Sequence, residues 1–145
     1  MANREIWHEI MIRASQGELY QALTEVKKLA QWWTTDARGE PEVGKNLEFW
    51  FSGFCQTLEV TKLKPNELVQ WRATQKEAPE WAGTEIEFKI FRESDRTLLH
   101  FRQSGFREDA KMFPRFSLRW AIFLLSLKEF VETEKGRPYP YEPAA

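Results

Sequence analysis

MFPRFSLRWAIFLLSLKEFVETEK, residues Met112–Lys135, is the stretch on which the fold turns. Phe116, Trp120, Phe123, Leu124, Leu127 and Val131 recur at the three- and four-residue spacing that stacks side chains on one face of a helix. The segment therefore reads as a long amphipathic helix. Ala121, Ile122 and Leu125 widen the apolar stripe beyond a narrow seam, which predicts that the middle of the helix is enclosed on more than one side by something concave. A curved sheet is the natural candidate. Burying the six large side chains is worth on the order of 9–18 kcal/mol before chain entropy is set against it. Pro114 is tolerated only in the first turn, so the helix starts near Phe113, or earlier with Asp109 as cap, and Gly136 is expected to end it.

Upstream of this helix the chain alternates. Glu5–Arg13 puts Ile6, His8, Ile10 and Ile12 on one face and Trp7, Glu9, Met11 and Arg13 on the other, as in a strand with one buried side. Ser15-Gln16-Gly17-Glu18 fits a capping box and starts a short helix with Leu19, Ala22 and Leu23 inward. Thr24 is placed to cap a second short helix, in which Val26, Leu29, Ala30 and Trp33 share a side. Asp36–Lys45, with two glycines and a proline, reads as a turn-rich connection. Further strands follow over Asn46–Ser52, Cys55–Leu63, Leu68–Gln75, Thr84–Phe91 and Thr97–Ser104, with Ser52-Gly53 and Lys64-Pro65-Asn66 as turns and Glu77–Gly83 as a loop. Half apolar and half polar, they describe an antiparallel meander with one wet face. The fold class is α+β: a curved antiparallel sheet of about six strands wrapped around the C-terminal helix, with two short helices after the first strand. Residues 1–136 read as one domain and residues 137–145 as a proline-rich tail extended on the surface.

Composition narrows the function classes. The 145 residues include 21 basic and 22 acidic side chains, interspersed, for a formal charge of −1. No basic face stands out for a phosphate backbone, so nucleic acid is not an expected partner. Seven Trp and eleven Phe must be core, cavity wall or interface. A single cysteine, Cys55, excludes an internal disulfide and a thiolate cluster for zinc. The N-terminal residues MANREIWHEI hold no apolar signal core, and the longest apolar run, Trp120–Leu125, is far shorter than the ~20 residues of a membrane span. A soluble cytoplasmic protein is expected.

The order strand, two short helices, meander and long terminal helix is that of the helix-grip fold, and local residues resemble a family. Glu18-Leu19-Tyr20-Gln21-Ala22-Leu23-Thr24 followed by Leu29-Ala30-Gln31-Trp32-Trp33 resembles the Val-Trp-x-Ala-Leu-Thr … Trp-Trp pattern of START-like (SRPBCC) proteins. More narrowly, it is similar to the branch related to the C-terminal domain of the activator of Hsp90 ATPase. Gly83-Thr84, Thr97-Leu98-Leu99, Ser104-Gly105-Phe106, Trp120, Phe123-Leu124-Leu125-Ser126-Leu127-Lys128 and Gly136-Arg137-Pro138 resemble that branch's other landmarks, so the resemblance runs along nearly the whole chain. Members often carry His before the Ser-Gly that closes the last strand. Here stands Gln103, which neither titrates nor acts as a base, so no proton-transfer role carries over to it. The chain also lacks the N-terminal half through which a full activator would engage its chaperone, and co-chaperone activity is not carried over.

The resemblance implies a space between sheet and helix in which apolar molecules bind. By parity its wall candidates are Ile10, Phe49, Phe51, Trp71, Phe88 and Phe101 from the strands and Phe116, Trp120 and Leu124 from the helix, with Trp32 or Trp33 near the entrance. Rings of this size plug a space as readily as they line one, and parity leaves both open. His8 and Gln103 are the polar residues on inward faces, each either a ligand contact or a residue satisfied by its neighbours. No metal-ligand spacing, nucleophile–base pairing or phosphate loop is present, and no cofactor is expected. A cyclase- or hydrolase-like enzyme stays open only through carboxylates such as Glu48 or Glu59. Outside, Trp7 and Trp50 are expected to stack across paired strands, either as an interaction surface for a protein partner or homodimer or as a local cluster covered by Arg and Lys stems. The leading expectation is a non-catalytic intracellular module holding a small apolar or amphipathic molecule. The alternative is a protein-interaction or Hsp90 activator-like domain, in which the Pro140-x-x-Pro143 tail is a further contact.

Overall fold

Alternating side chains give this chain its sheet. The computed structural model describes residues 4–74 and 80–144. In order it runs β1 (Arg4–Ile12), α1 (Gln16–Thr24), α2 (Val26–Trp32), β2 (Asp36–Gly39), β3 (Asn46–Phe51), β4 (Phe54–Lys64), β5 (Leu68–Ala73), β6 (Glu85–Glu93), β7 (Arg96–Phe106) and α3 (Phe113–Thr133). All seven strands form one antiparallel sheet in the order β1-β7-β6-β5-β4-β3-β2. Every apolar face read from alternation turns inward: Leu47 and Phe49, Val69 and Trp71, Ile86 and Phe88, Leu99 and Phe101 are buried. Ser52 and Gly53 both have positive φ, 51° and 86°, which is the backbone of a two-residue hairpin turn between Phe51 and Phe54.

Several expectations are corrected. β2 lies in the stretch read as a connection, and makes the strand count seven rather than about six. Asp-Ala-Arg-Gly has no apolar alternation to betray it. β1 pairs with β7, not with the strand that follows the short helices, so Trp7 and Trp50 stand on distant strands and do not stack. Thr24 does not cap α2, because its hydroxyl donates back to the Tyr20 carbonyl at 2.8 Å, and the cap position is Glu25 without a side-chain bond. The capping box of α1 is present as read: Glu18 N–H donates to Ser15 Oγ at 3.0 Å and Ser15 N–H to Glu18 Oε1 at 3.2 Å. The end of the expected fourth strand, Gln75, and residues 77–79 of the expected loop lie outside the described residues, as do residues 1–3 and 145.

At the start of α3, Pro114 occupies the first turn and the cap position is Met112, whose N–H donates to the Glu80 carboxylate at 2.9 Å. A carboxylate at this end answers both an orphan amide and the helix dipole. Asp109 instead accepts from Arg107 at 3.1 Å. The helix ends at Thr133 with Glu134 in the left-handed region, before Gly136 is reached. Gly136 serves close approach instead, since a Cβ there would lie 2.4 Å from the Gln31 carbonyl of α2. The inner stripe of α3 is buried or half-buried along its length, but the predicted enclosure of its second side is absent: Leu125 is 52% exposed.

Beyond α3 the tail is irregular yet tied down. Arg137 N–H donates to Ser126 Oγ at 2.7 Å, Tyr139 N–H to the Trp33 carbonyl at 2.8 Å, and Thr35 N–H to the Tyr139 carbonyl at 3.1 Å. Among the described residues no helix is long and apolar enough to cross a membrane.

Candidate functional site

Between sheet and helix lies a continuous set of rings. Phe49, Trp71, Phe88 and Phe101, from β3, β5, β6 and β7, are fully buried, and Trp120 of α3 sits over them, 4.4 Å between centroids from Phe101 and 4.9 Å from Trp33. Trp33, just past α2, packs 4.1 Å from Phe49 and lies parallel to Trp71. The centre of the grip is therefore plugged.

Space remains at one end. A cleft of about 430 Å³ opens beside the N-terminal half of α3. Its floor is Trp33, Phe51 and Trp120; Phe116 and Phe123 of α3, Trp81 of the loop before β6 and Tyr139 of the tail form its sides. Phe54 and Met112, 41% and 36% exposed, stand at its rim with Glu80 and Arg119, and Gln56 completes the lining. Arg119 is held in place: it donates to Glu142 at 2.9 Å and lies over the Phe123 ring at 5.3 Å. Among the described residues no buried side-chain polar atom lacks a partner. The lining is mostly ring faces and edges, with its charged groups, Glu80 and Arg119, at the rim.

Of the residues singled out by sequence, Trp33, Phe51, Phe116 and Trp120 line this cleft. Phe49, Trp71, Phe88, Phe101 and Leu124 lie behind it in the core. Trp32 is fully buried against α1, its indole N–H donating to the Ala22 carbonyl at 2.8 Å, so of the tryptophan pair only Trp33 faces the cleft. Ile10 is half-buried on β1, and His8 donates from Nε2 to the Ser117 carbonyl at 3.1 Å while stacking on Phe101, away from the cleft. Gln103 is wholly buried and fully engaged: its Oε1 accepts from Trp120 at 2.7 Å and its Nε2 donates to Thr84 Oγ1 at 2.9 Å. Thr84 in turn donates to the Trp81 carbonyl at 2.7 Å. This chain of bonds fixes two walls of the cleft from behind.

Sequence reasoning missed Phe54, Gln56, Trp81, Phe123 and Tyr139, and at the rim Glu80, Met112 and Arg119. Gln56 shares parity with Leu58 and Val60, and Phe123 belongs to the helix stripe, so both carried a signal. Trp81 and Tyr139 lie in aperiodic segments and carried none. Glu48 and Glu59 alternate with inward residues and so face outward, away from the cleft; Glu48 accepts from Trp50 Nε1 at 3.2 Å. On the outer face Trp7 lies under the Arg102 guanidinium at 4.8 Å and Trp50 under Arg38 at 5.0 Å; Trp50 is half-buried, while Trp7 is still 52% exposed. Burial pushes the Cys55 thiol above its ordinary pKa, which keeps it protonated. No group of three or more metal-ligating side chains is gathered among the described residues.

The sequence pattern described as activator of Hsp90 ATPase homolog 1-like protein matches residues 13–132. The chain belongs to that family. The solution structure of the Aha1 dimer from Colwellia psychrerythraea is 39% identical, with a TM-score of 0.85 over 94% of this chain and 100% of that one. A protein from Mesorhizobium loti (22% identity, TM-score 0.78, covering 88% of this chain and 96% of that one) shares the fold. So does a conserved protein of unknown function from Enterococcus faecalis (24%, 0.76, covering 95% and 77%). No curated protein matches the chain. The helix-grip fold and the START-like membership implied by the Trp-Trp and terminal-helix residues are thereby established.

Proposed function

We propose that this member of the family is a non-catalytic intracellular module that holds a small apolar or amphipathic, ring-bearing molecule in the cleft beside α3. The observation that carries the reading is the cleft itself, about 430 Å³ with Trp33, Phe51, Trp81, Phe116 and Trp120 around it, a size and lining typical of small-molecule sites. Arg119 and Glu80 at the rim suit an amphipathic occupant whose polar end stays near solvent. Phe49, Trp71, Phe88, Phe101, Ile10, Leu124 and Trp32 support the walls, His8 ties β1 to α3, and Gln103 positions Trp120 and Trp81. A single cysteine, which excludes an internal disulfide, suits a reducing compartment such as the cytoplasm.

The test is a fluorescence titration with the apolar probe 8-anilinonaphthalene sulfonate. Wild type is expected to bind saturably, Trp81→Ala and Phe54→Glu to bind about tenfold more weakly or worse, and Trp7→Ala like wild type. Equal binding by all four proteins would remove the cleft from consideration.

A second reading, self-association, is favoured by one observation: the relative at 39% identity is described as a dimer in solution. We infer that this chain also forms a homodimer, which sedimentation velocity reads directly. An Hsp90 activator-like role is the family's own alternative, and stimulation of purified Hsp90 ATPase is its assay.

A further inference from the structure

The outward side of α3 carries an apolar stripe that the other described residues leave largely uncovered. Leu118 and Leu125 are 53% and 52% exposed, and half-buried Ile122 lies between them. At about 100° per residue the three fall in one sector, opposite the core-facing Trp120, Leu124 and Leu127. The opposite side of the helix already carries the core residues and the cleft wall, so a rotation of α3 would only expose those instead.

Charge frames the stripe. Exposed Arg115 precedes Leu118 by one turn and Glu129 follows Leu125 by one turn. Arg115 in the first turn runs against the preference of the helix dipole, with no acidic residue in that turn, whereas the acidic residues of the last turns are held within the chain, Glu129 by Arg137 and Glu132 by Lys128 and the Arg13 N–H. An antiparallel second copy answers both the bare stripe and Arg115. With the Ile122 side chains of the two copies meeting on a two-fold axis, Leu118 of one copy packs beside Leu125 of the other, and Arg115 comes opposite Glu129. The two dipoles oppose, and Arg115 gains a carboxylate, shared with Arg137 of the other copy.

Other faces are less suited. On the outer sheet face Trp7, Met11 and Phe91 are also exposed, but each is tied to polar neighbours: Trp7 is bonded to Glu5 at 2.9 Å and lies under Arg102, Met11 accepts from Arg96 at 3.0 Å, and Phe91 packs edge-on against His100. The free edge of β1 is blunted where Lys128 donates to the Met11 carbonyl and Arg13 N–H donates to Glu132 at 2.7 Å.

We infer that the Leu118–Ile122–Leu125 stripe of α3 is the surface on which a second copy of this chain docks, antiparallel and two-fold. The inference rests on the self-association reading above. So short a stripe places the dimer among small, reversible interfaces.

Sedimentation velocity of the full chain over a concentration series is the experiment. Wild type is expected to dimerise reversibly. Leu125→Lys should weaken the dimer about tenfold or more, with an unchanged thermal midpoint because the site is exposed. Arg115→Glu should weaken it less, since it sets carboxylates opposite one another across the two-fold axis. A wild-type protein that is monomeric throughout overturns self-association and the stripe together. A dimer indifferent to Leu125→Lys, whether or not Trp7→Ala or Phe91→Ala dissolves it, leaves self-association standing and overturns the stripe.

Discussion

The two halves of α3 meet the rest of the molecule differently. In the C-terminal half, Leu124, Leu127 and Val131 pack into the core, and Lys128 and Glu132 lock the helix to the end of β1 through Met11 and Arg13. In the N-terminal half, Phe116, Trp120 and Phe123 border open space. Branched aliphatic side chains interdigitate and close a gap; planar rings meet at fixed offsets and leave room at their edges. A stiff, ring-walled opening and a sealed seam thus come from one stripe of one helix.

The sharpest break in that comparison is to truncate one residue from each half. Trp120→Ala and Leu127→Ala should both destabilise the protein, by about 3–5 and 2–5 kcal/mol respectively in denaturant unfolding. Only the first should abolish probe binding in the surviving folded fraction. Equal loss of binding in both would mean that the cleft reports global stability and nothing local.

Gln103→Leu comes next, with an expected loss of about 1–3 kcal/mol, because the buried Trp120 N–H and Thr84 hydroxyl lose their shared partner. A merely structural role would lower stability alone. The relay to Trp81 predicts in addition a red-shifted tryptophan emission and weaker probe binding at a temperature where the variant is still folded.

These two residues also mark how far the sequence could be read. Trp120 was legible because helix periodicity is local: its spacing from Phe116, Phe123 and Leu124 fixes its face before any tertiary contact exists. Gln103 was legible as inward by strand parity, but its partners were not, since Thr84 and Trp120 reach it across the sheet and from the helix. The same division holds for the fold. Alternation delivered β1 and β3 through β7, whereas β2 has only four residues and owes its existence to pairing with β3. The pairing of β1 with β7 is set by closure of the whole sheet, and no residue within β1 announces it. Tyr139 entered the cleft through two main-chain bonds to the segment after α2, for which a proline-rich tail gives no pattern.

At the sealed end the ion-paired cluster gives a smaller, pH-dependent effect. Burial raises the Glu132 pKa, but hydrogen bonds from Arg13 N–H and Lys128 outweigh it, and the net shift is downward from 4.5. A carboxyl with a depressed folded pKa stabilises fully above its unfolded pKa and loses that contribution as pH falls through the folded value. Wild type should therefore exceed Glu132→Gln by about 1 kcal/mol near neutrality, with the gap closing below 4.5. A gap that persists in acid would assign the effect to packing.

Phe54→Ala gives the least change in stability and for that reason isolates the open half. At 41% exposure on the rim, next to the Ser52-Gly53 turn, the ring is only partly removed from water on folding, and unfolding free energy should move little, by no more than about 1 kcal/mol. Its ring nevertheless borders the cleft, so a molecule seated against Phe51 and Phe116 would bury it on binding. Removing it should weaken probe affinity about threefold to tenfold. Such a result, with stability little moved, separates the cleft from the core as no buried substitution can. If affinity is unchanged instead, the occupant sits deeper, on Trp33 and Trp120, and the rim serves as a passage rather than a wall.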